Sequence, residues 1–350
     1  MAILVIGGVG FLGSHIVHQL AARGTEGVAV LDLTEPSEDD RITGVQYLTG
    51  DIRNEERIVE VLKEVKPSVV LHTASPVHGL ASKVYYEVNE TGTRNVVSAC
   101  VKTGTKKLVY TSSTGVVWTG APFNGVTEDQ VEIPQQGYDA YHHTKALGER
   151  IVLEAQKKDG LEVVVLRPCG MTGERDRQLI WRLAEVLEKK QNNVQIGDNT
   201  NLVDYCYVGN AAEAHILAAD RLLSEPENVS GQVFFITNGE PMPIWNFSRK
   251  IWKELGDDGK AKVMKIPRVM GLVLAVIAET WSAITRSSTQ FTRFSVHFLT
   301  ATQYYNIDKA KRLLGYEPKV SLDEGIKRTV QWWKETGARE HAERAASKKD

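Results

Sequence analysis

The sequence predicts an α/β fold, a doubly wound parallel sheet with helices on both faces. Short apolar runs alternate with longer helical stretches over the first two thirds of the 350 residues, as expected when parallel strands are joined by helical crossovers. The runs hold no charged residue, which fits strands that are covered on both faces. A glycine-rich segment follows the first run directly. The predicted strands are Ile3–Ile6, Val28–Leu31, Tyr47–Leu48, Val69–Leu71, Leu108–Tyr110 and Val163–Leu166, and the predicted helices are Phe11–Arg23, Glu55–Val65, Gly92–Thr103 and Thr144–Lys157.

The glycine-rich segment joins the first strand to the first helix and predicts a dinucleotide site. Glycine permits the tight turn and lets the backbone approach a pyrophosphate closely. The free amides and the partial positive charge at the helix N-terminus then favour the phosphates. This placement makes the sheet Rossmann-type, and we expect cofactor contacts from Gly7, Gly10, Phe11, Leu12 and Gly13.

An acidic residue at the end of the second strand indicates which dinucleotide binds. Asp32 lies 19 residues beyond Gly13, near the distance at which a carboxylate accepts hydrogen bonds from the adenosine ribose. The same carboxylate would repel a 2′-phosphate, so NAD is favoured over NADP. Asp51, after the third strand, could pair with the adenine amino group; an ordinary turn aspartate is the alternative.

A tyrosine and a lysine four residues apart suggest hydride chemistry. Tyr141 and Lys145 share one face of a helix. A carbinol that loses hydride must also lose its hydroxyl proton, and a free tyrosine has a pKa near 10. We expect the lysine ammonium to lower that pKa. Ser112 and Ser113 follow a strand end, where α/β sheets bind ligands, so a hydroxyl there could hold the substrate oxygen.

Neighbouring polar residues on this helix are expected to have no part in the chemistry. His142 and His143 point in different directions and no further ligand pattern joins them, so no metal site is predicted. Glu149 and Arg150 are expected on a solvated helix face.

Composition limits the partners and the location. The formal net charge is −2 and 25% of residues are charged, so no nucleic-acid partner is expected. Three separated cysteines without a Cys-x-x-Cys pair predict neither disulfides nor structural zinc. The N-terminal segment lacks the features of a signal peptide, and we expect a cytoplasmic protein.

After about Arg167 the alternation of apolar runs and helical stretches gives way to loops and mixed helices. We therefore expect a Rossmann domain over residues 1–168, completed by strands from about 194–240, namely Val194–Gly197 and Val233–Thr237. Residues 169–193 and 241–336 would form a smaller substrate-binding region. The charged stretch 337–350 is predicted to be a frayed helix or a mobile tail.

These segments together resemble the extended short-chain dehydrogenases/reductases over roughly residues 2–335. Within them the chain is most similar to the 3β-hydroxysteroid dehydrogenase branch and its fungal sterol-4α-carboxylate 3-dehydrogenases (decarboxylating). The segments that carry the resemblance are Gly7–Gly13, Asp51-Ile52, Val88-Asn89, Val109–Val117, Asp139–Ala146, Arg167-Pro168, Asp204–Asn210 and Tyr305–Tyr316.

The resemblance implies a role for individual residues. Tyr141 matches the general acid/base, Lys145 the lysine that holds the nicotinamide ribose, and Ser113 the substrate-orienting hydroxyl. It also implies cofactor contacts from Ile52, Ala74, Asn89 and Pro168.

The implied reaction is NAD-dependent oxidation of a 3β-hydroxyl on a sterol or sterol-like terpenoid, with loss of a 4α-carboxylate as carbon dioxide if one is present. The implied partners are a small lipophilic alcohol or ketone and a second copy of the chain in a homodimer. A terpenoid or meroterpenoid alcohol dehydrogenase or ketoreductase of fungal secondary metabolism would look similar. A nucleotide-sugar epimerase or dehydratase is less favoured because an apolar run is present. A non-catalytic cofactor sensor is less favoured because the Tyr–Lys pair is intact.

That apolar run, Val269–Ala278, is the most hydrophobic of the chain. It is expected to be too short to span a bilayer, which needs about 20 apolar residues. A buried helix of the second domain is one interpretation. The other is a helix over about 268–284 that rests on a membrane at the mouth of a lipid-substrate site, which would make the protein peripheral to the endoplasmic reticulum membrane.

Overall fold

The computed structural model describes residues 2–285, 289 and 291–346. The strands of the described residues are β1 Ile3–Ile6, β2 Val28–Asp32, β3 Gln46–Thr49, β4 Val69–His72, β5 Lys107–Thr111, β6 Phe123–Val126, β7 Glu162–Pro168, β8 Gly170–Thr172, β9 Val194–Ile196, β10 Leu202–Val203, β11 Tyr205–Tyr207, β12 Gln232–Ile236, β13 Met242–Pro243, β14 Met264–Ile266 and β15 Gln303–Tyr305. The α-helices are α1 Phe11–Ala22, α2 Glu55–Val65, α3 Ser82–Tyr85, α4 Thr93–Thr103, α5 Ala140–Lys158, α6 Leu179–Glu188, α7 Val208–Ser224, α8 Pro226–Val229, α9 Ile244–Glu254, α10 Arg268–Thr285, α11 Arg293–Thr300, α12 Asp308–Leu314, α13 Leu322–Trp332 and α14 Ala338–Ala346.

A seven-stranded sheet dominates the fold. Its order is β12-β7-β5-β4-β1-β2-β3, and every neighbouring pair is parallel. The strand order reverses between β1 and β4, which is where open α/β sheets bind their ligands. The predicted α/β fold class is therefore confirmed, and the glycine loop lies beside this reversal.

Side chains from alternate positions of the strands enter two separate cores. Ile3 and Val5 pack on one face with α1 and α7, whereas Leu4 and Ile6 pack on the other with α2, α4 and α5. Because both faces are covered, all four side chains of β1 are at most 1% exposed. This double burial explains why the strands read as continuous apolar runs.

One predicted strand does not join the large sheet. The segment predicted at Val194–Gly197 forms β9, but β9 pairs with β14 in a separate two-stranded sheet. Its Ile196 packs with Ala275 and Val296, on α10 and α11, and this local core holds the strand away from the sheet edge. The other predicted segment does contribute, since β12 occupies the edge next to β7.

The helix before α4 begins earlier than predicted. A π-helical stretch, Tyr86–Gly92, links α3 to α4, so the chain is helical from Ser82 to Thr103. Asn89 therefore lies inside a helix, in the connection after β4. The predicted start at Gly92 was wrong. Glycine is a poor helix former and so suggested a helix boundary, but this glycine is required inside the helix by close packing. Gly92 lies against Ile52, where a Cβ would lie 2.6 Å from Cδ1.

Helix α5, which carries the predicted catalytic pair, is fixed on the sheet by a buried ion pair. Glu149 is fully buried and accepts hydrogen bonds from Arg167 Nη2 at 2.5 Å and Nε at 3.1 Å. Ser112 Oγ donates to the same carboxylate at 2.5 Å. The expectation that Glu149 lies on a solvated face is wrong, because α5 turns this position toward the ends of β5 and β7.

For the apolar helix and for the C-terminal stretch the sequence left two interpretations open, and the structure bears on both. In α10 only Gly271 and Ala275 are buried, which excludes a buried core helix. Among the described residues α10 has the length and composition of a helix that could cross a bilayer, because it continues to Thr285, beyond the predicted run. Residues 338–346 form α14, where His341 bonds Glu185 at 3.1 Å; residues 347–350 lie outside the described part.

We predict that Glu149→Gln lowers the free energy of unfolding by about 3–5 kcal/mol, because it leaves the buried Arg167 guanidinium without its counter-charge. Urea unfolding monitored by circular dichroism measures the change. Glu154→Gln, on the exposed side of the same helix, is the matched control and should move the midpoint little. Equal midpoints for the two variants would contradict the anchoring role of Glu149.

Candidate active site

The glycine loop forms a concave surface, and side chains at its glycine positions would collide with the neighbouring backbone. Gly7 has φ +85°, and a Cβ there would lie 2.7 Å from the backbone nitrogen of Ala74. A Cβ at Gly13 would lie 2.0 Å from the Gly7 oxygen, whereas Gly10 meets only that oxygen, at 3.2 Å. Gly10 caps α1 without a side-chain hydrogen bond, so the first amides of the helix stay available to an anion. The loop therefore fits a dinucleotide phosphate.

Asp32 is held directly beside this loop. Its Oδ2 accepts from the Val9 amide at 2.9 Å and its Oδ1 from the Leu33 amide at 2.7 Å. Burial raises the pKa of Asp32, and the backbone amides oppose that rise. Each carboxylate oxygen keeps a further lone pair, so the side chain can still accept a ribose hydroxyl.

The other predicted cofactor residues occupy varied positions around the loop. Asp51 is bound by the Arg53 guanidinium, which lowers the pKa of that carboxyl. Ile52 is 6% exposed and its side chain belongs to the apolar core. Ala74 touches the glycine loop through its backbone. Pro168 ends β7 and is buried. Their contacts with a cofactor stay predictions.

Asn89 connects the π-helical stretch Tyr86–Gly92 to α5, the helix that carries Tyr141. It is 1% exposed, accepts from Ser75 Oγ at 3.0 Å and donates to Thr144 Oγ1 at 3.1 Å. Thr144 follows Tyr141 by three residues on α5. Asn89 thereby ties the loop after β4 to the helix that carries the tyrosine.

Tyr141 faces two hydroxyls at the carboxyl ends of the strands. It lies in the first turn of α5, where Asp139 caps the helix through the His142 amide at 2.9 Å. Burial raises the pKa of Tyr141 to about 12, while its hydrogen-bonding interactions with Ser75 and Ser113 act in the opposite direction. The structure therefore brings Tyr141 and Ser113 together, as predicted, and adds Ser75.

The predicted effect of Lys145 on the tyrosine is wrong for this conformation. The Lys145 ammonium donates to the Thr111 carbonyl and lies 4.7 Å from the centre of the Tyr110 ring. Lys145 is 2% exposed, and its burial lowers the pKa of the amine to about 7, although Glu149 raises it. Because the Tyr141 pKa is raised, lowering it requires the amine to be charged and turned toward the phenol.

Sequence reasoning missed the residues that contact Tyr141 from the loop after β4. The His78 ring lies over the Tyr141 ring with 3.9 Å between centroids, and Tyr85 meets it edge-on at 5.7 Å. The Tyr85 hydroxyl donates to Val77 and accepts from the Leu80 amide, each at 3.0 Å, which fixes the loop. No motif signals these contacts, since they depend on how a loop folds over a distant helix.

An aromatic group forms an apolar wall beyond the tyrosine. Trp118 stacks on Tyr138 with centroids 4.9 Å apart, and Phe294 lies 5.2 Å from Tyr138 and 5.8 Å from His142. Phe298 stacks on Phe294 at 6.0 Å. Both phenylalanines come from α11, so the C-terminal region supplies the apolar side of the site.

The fold and the site together define a dehydrogenase of the short-chain type. The profile of the 3-beta hydroxysteroid dehydrogenase/isomerase family matches residues 4–268. The chain belongs to this family, which confirms the predicted family and enzyme class.

Relatives of known name match almost the whole chain. The sterol-4-alpha-carboxylate 3-dehydrogenase, decarboxylating, of Schizosaccharomyces pombe is 45% identical over 333 residues, covering 95% of this chain and 97% of that protein. The human protein of that name is 35% identical over 93% of this chain and 87% of its own length. Among solved structures, the Thermus thermophilus UDP-glucose 4-epimerase in complex with NAD has a TM-score of 0.73 and 26% identity, covering 96% of this chain and all of that one. The expectation of NAD as the cofactor is confirmed for the family and its structural neighbours.

We predict that Lys145→Met stabilises the fold while removing activity. The unfolded lysine has a pKa of about 10.4 and the folded one about 7, so between these values unfolding takes up a proton. The penalty of burying the amine is thus complete below pH 7 and disappears as the pH rises toward 10. It corresponds to roughly 4 kcal/mol, and lost contacts leave a net gain of about 1–3 kcal/mol at pH 6.

Urea midpoints at pH 6 and pH 9.5 measure this gain, which should shrink at the higher pH. Lys157→Met, exposed on the same helix, is the control and should have similar midpoints to the parent at both values. A gain that grows with pH would contradict the assignment of a low pKa to Lys145.

Proposed function

We propose that the protein oxidises the 3β-hydroxyl of a sterol that bears a 4α-carboxylate, with NAD as acceptor, and releases carbon dioxide from the product. The observation that carries the proposal is the approach of Tyr141 to Ser113 at the carboxyl ends of the strands, with Lys145 one turn further along the same helix and an aromatic wall on the far side. The names of the full-length relatives support this substrate class.

In the proposed reaction Tyr141 takes the hydroxyl proton while Ser113 holds the substrate oxygen. Bound NAD would accept the hydride from the same carbon. Glycines 7, 10 and 13 and Asp32 would hold its phosphates and ribose. A charged Lys145 beside the phenol would favour its deprotonated form. Oxidation makes a ketone beside the carboxylate-bearing carbon, and this carbonyl accepts the electron pair left when carbon dioxide departs.

The aromatic wall favours a sterol over a nucleotide sugar. Phe294 and Phe298 offer apolar contact area, supported from behind by the buried Trp118, and such rings suit a flat, fused hydrocarbon. A sugar diphosphate requires several polar partners, whereas the side chains that α11 contributes here, Phe294 and Phe298, are hydrocarbon. A related terpenoid alcohol would make similar contacts and is the second candidate.

We predict that Tyr141→Phe lowers turnover of a 4α-carboxy-3β-hydroxysterol by at least a thousandfold, because the proton acceptor is lost, while the Kd of NAD changes less than threefold. NADH formation and cofactor fluorescence titration measure the two effects. Tyr138→Phe, which keeps the ring stack near the site, is the control and should retain turnover. Retained turnover in Tyr141→Phe would contradict the assignment.

We further propose that α10 rests on a membrane surface. Val273 is 55% exposed, Ile277 60% and Trp281 66%, and they recur along one side of the helix. Lys262, Lys265 and Arg268 precede or begin it, and basic residues beside an apolar helical face favour an anionic lipid surface. A location at the endoplasmic reticulum membrane and a homodimer stay predictions of the sequence.

We predict that the triple change Val273→Gln, Ile277→Gln and Trp281→Gln reduces sedimentation with anionic lipid vesicles at least tenfold. Each apolar side chain gains about 1.5–3 kcal/mol on full burial, and 1.4 kcal/mol corresponds to tenfold. Val101→Gln, an exposed valine on α4, is the control. Sedimentation that the triple change leaves unaltered would contradict a membrane role for α10.

A further inference from the structure

The loop after β4 and helix α6 place two cationic or hydrogen-bond-donating side chains at the mouth of the site. His78 lies over the Tyr141 ring, and its backbone amide donates to Gln178 Oε1 at 3.2 Å. Gln178 caps α6 and Arg182 lies one turn further along, so both side chains share a face of the helix. Arg182 is therefore directed toward the same loop, within electrostatic range of His78.

Among the described residues neither side chain forms an ion pair, although Asp176 lies within electrostatic range of Arg182 and Asp139 within range of His78. The nearest acidic groups are already bonded. Asp176 accepts from the amides of Gln178 and Leu179, each at 2.9 Å, and Asp139 accepts from the amide and the ring of His142. Other arginines of this region are paired, namely Arg175 with Asp40, Arg177 with Glu340 and Arg293 with Glu279. Because Asp176 is occupied by backbone amides, the Arg182 guanidinium keeps its hydrogen-bond donors available for an anion.

The position of His78 relative to Tyr141 suits an anion that is attached next to the reacting carbon. In the proposed reaction Tyr141 would contact the hydroxyl that loses its proton, so a group on the adjacent ring carbon would lie beside the tyrosine ring. A histidine ring carries at least one N–H in either protonation state, so it can donate to a carboxylate whether or not it is charged. Both His78 and Arg182 are exposed and thus reachable by a ligand.

We propose that His78 and Arg182 form the site for the substrate carboxylate, with His78 donating a hydrogen bond and Arg182 supplying the charge. The inference rests on the proposed function and deepens it, because it assigns the residues that distinguish a carboxylated sterol from an uncharged one. The two residues are positioning residues: they act on the substrate beside the reacting bond and not on the transferred proton.

Two sterols and four variants test this assignment. The substrates are a 4α-carboxy-3β-hydroxysterol and the corresponding 4α-methyl sterol, and the variants are His78→Gln, Arg182→Gln, Arg182→Lys and, as control, Lys189→Gln at the exposed end of α6. NADH formation gives kcat and KM separately. Binding of the carboxylated sterol, followed by tryptophan fluorescence in the Tyr141→Phe background, gives an independent readout.

Hydrogen bonds to charged groups contribute about 1.5–3 kcal/mol, which is about a 10- to 150-fold change. His78→Gln and Arg182→Gln should therefore raise KM for the carboxylated sterol, and weaken its binding, by about 10- to 100-fold. The loss on the methyl sterol should be at least tenfold smaller than the loss on the carboxylated sterol, and circular dichroism verifies that the variants fold. Arg182→Lys should recover part of the loss, and Lys189→Gln should resemble the parent.

The outcomes separate the two proposals. If the parent protein oxidises neither sterol, the proposed function fails. If the parent prefers the carboxylated sterol and both glutamine variants keep that preference, or if the parent has no preference, the carboxylate site is overturned while the dehydrogenase function stands. An equal loss on both sterols would assign the residues to folding of the loop and would also overturn the proposal.

Discussion

The attachment of α5 to the parallel sheet is the constraint on which the rest of the site depends. Glu149 joins Arg167 at the end of β7 and Ser112 at the end of β5, so one carboxylate connects two strands and a helix. Gly148 permits the close approach, since a Cβ there would lie 2.3 Å from the Tyr110 hydroxyl. One turn earlier on the same helix comes Lys145, and another turn earlier comes Tyr141. The position of Tyr141, the proposed acid/base, is thereby set by a buried contact outside the proposed reacting groups.

The same burial determines the protonation of the site. Tyr141 and Lys145 are both shifted toward their neutral forms, with a pKa of about 12 and about 7 respectively, because a desolvated charge is unfavourable. Glu149 is the nearby carboxylate that favours the charged lysine, although Arg167 shares it. An anion beside Lys145 or Tyr141 would therefore change the pKa values of these two groups. The charge of the substrate is thereby linked to the protonation state of the proposed acid/base.

Local patterns in the sequence were sufficient for the parallel sheet and the glycine loop. Strands buried on both faces have a continuous apolar signature, and the Gly7–Gly13 loop is constrained by its own backbone. The Tyr141–Lys145 pair was also found, because its spacing is local to one helix. Contacts between distant segments were missed: His78 meets a residue 100 positions away, and Glu149 pairs with a strand that follows a loop. The burial of Glu149 depends on which face of α5 packs against the sheet, and the composition of the helix does not determine that face.

Helices α10 and α11 form a two-sided unit whose sides face different surroundings. Val296 of α11 packs with Ala275 of α10 between them, while Phe294 turns toward Tyr138 and His142 and Trp281 turns outward. A hydrophobic substrate that reaches the protein from a lipid layer would need to pass only the thickness of this helical pair. Its search would then take place by lateral diffusion in two dimensions, and its concentration in the layer, rather than its solubility in water, would set the rate of encounter.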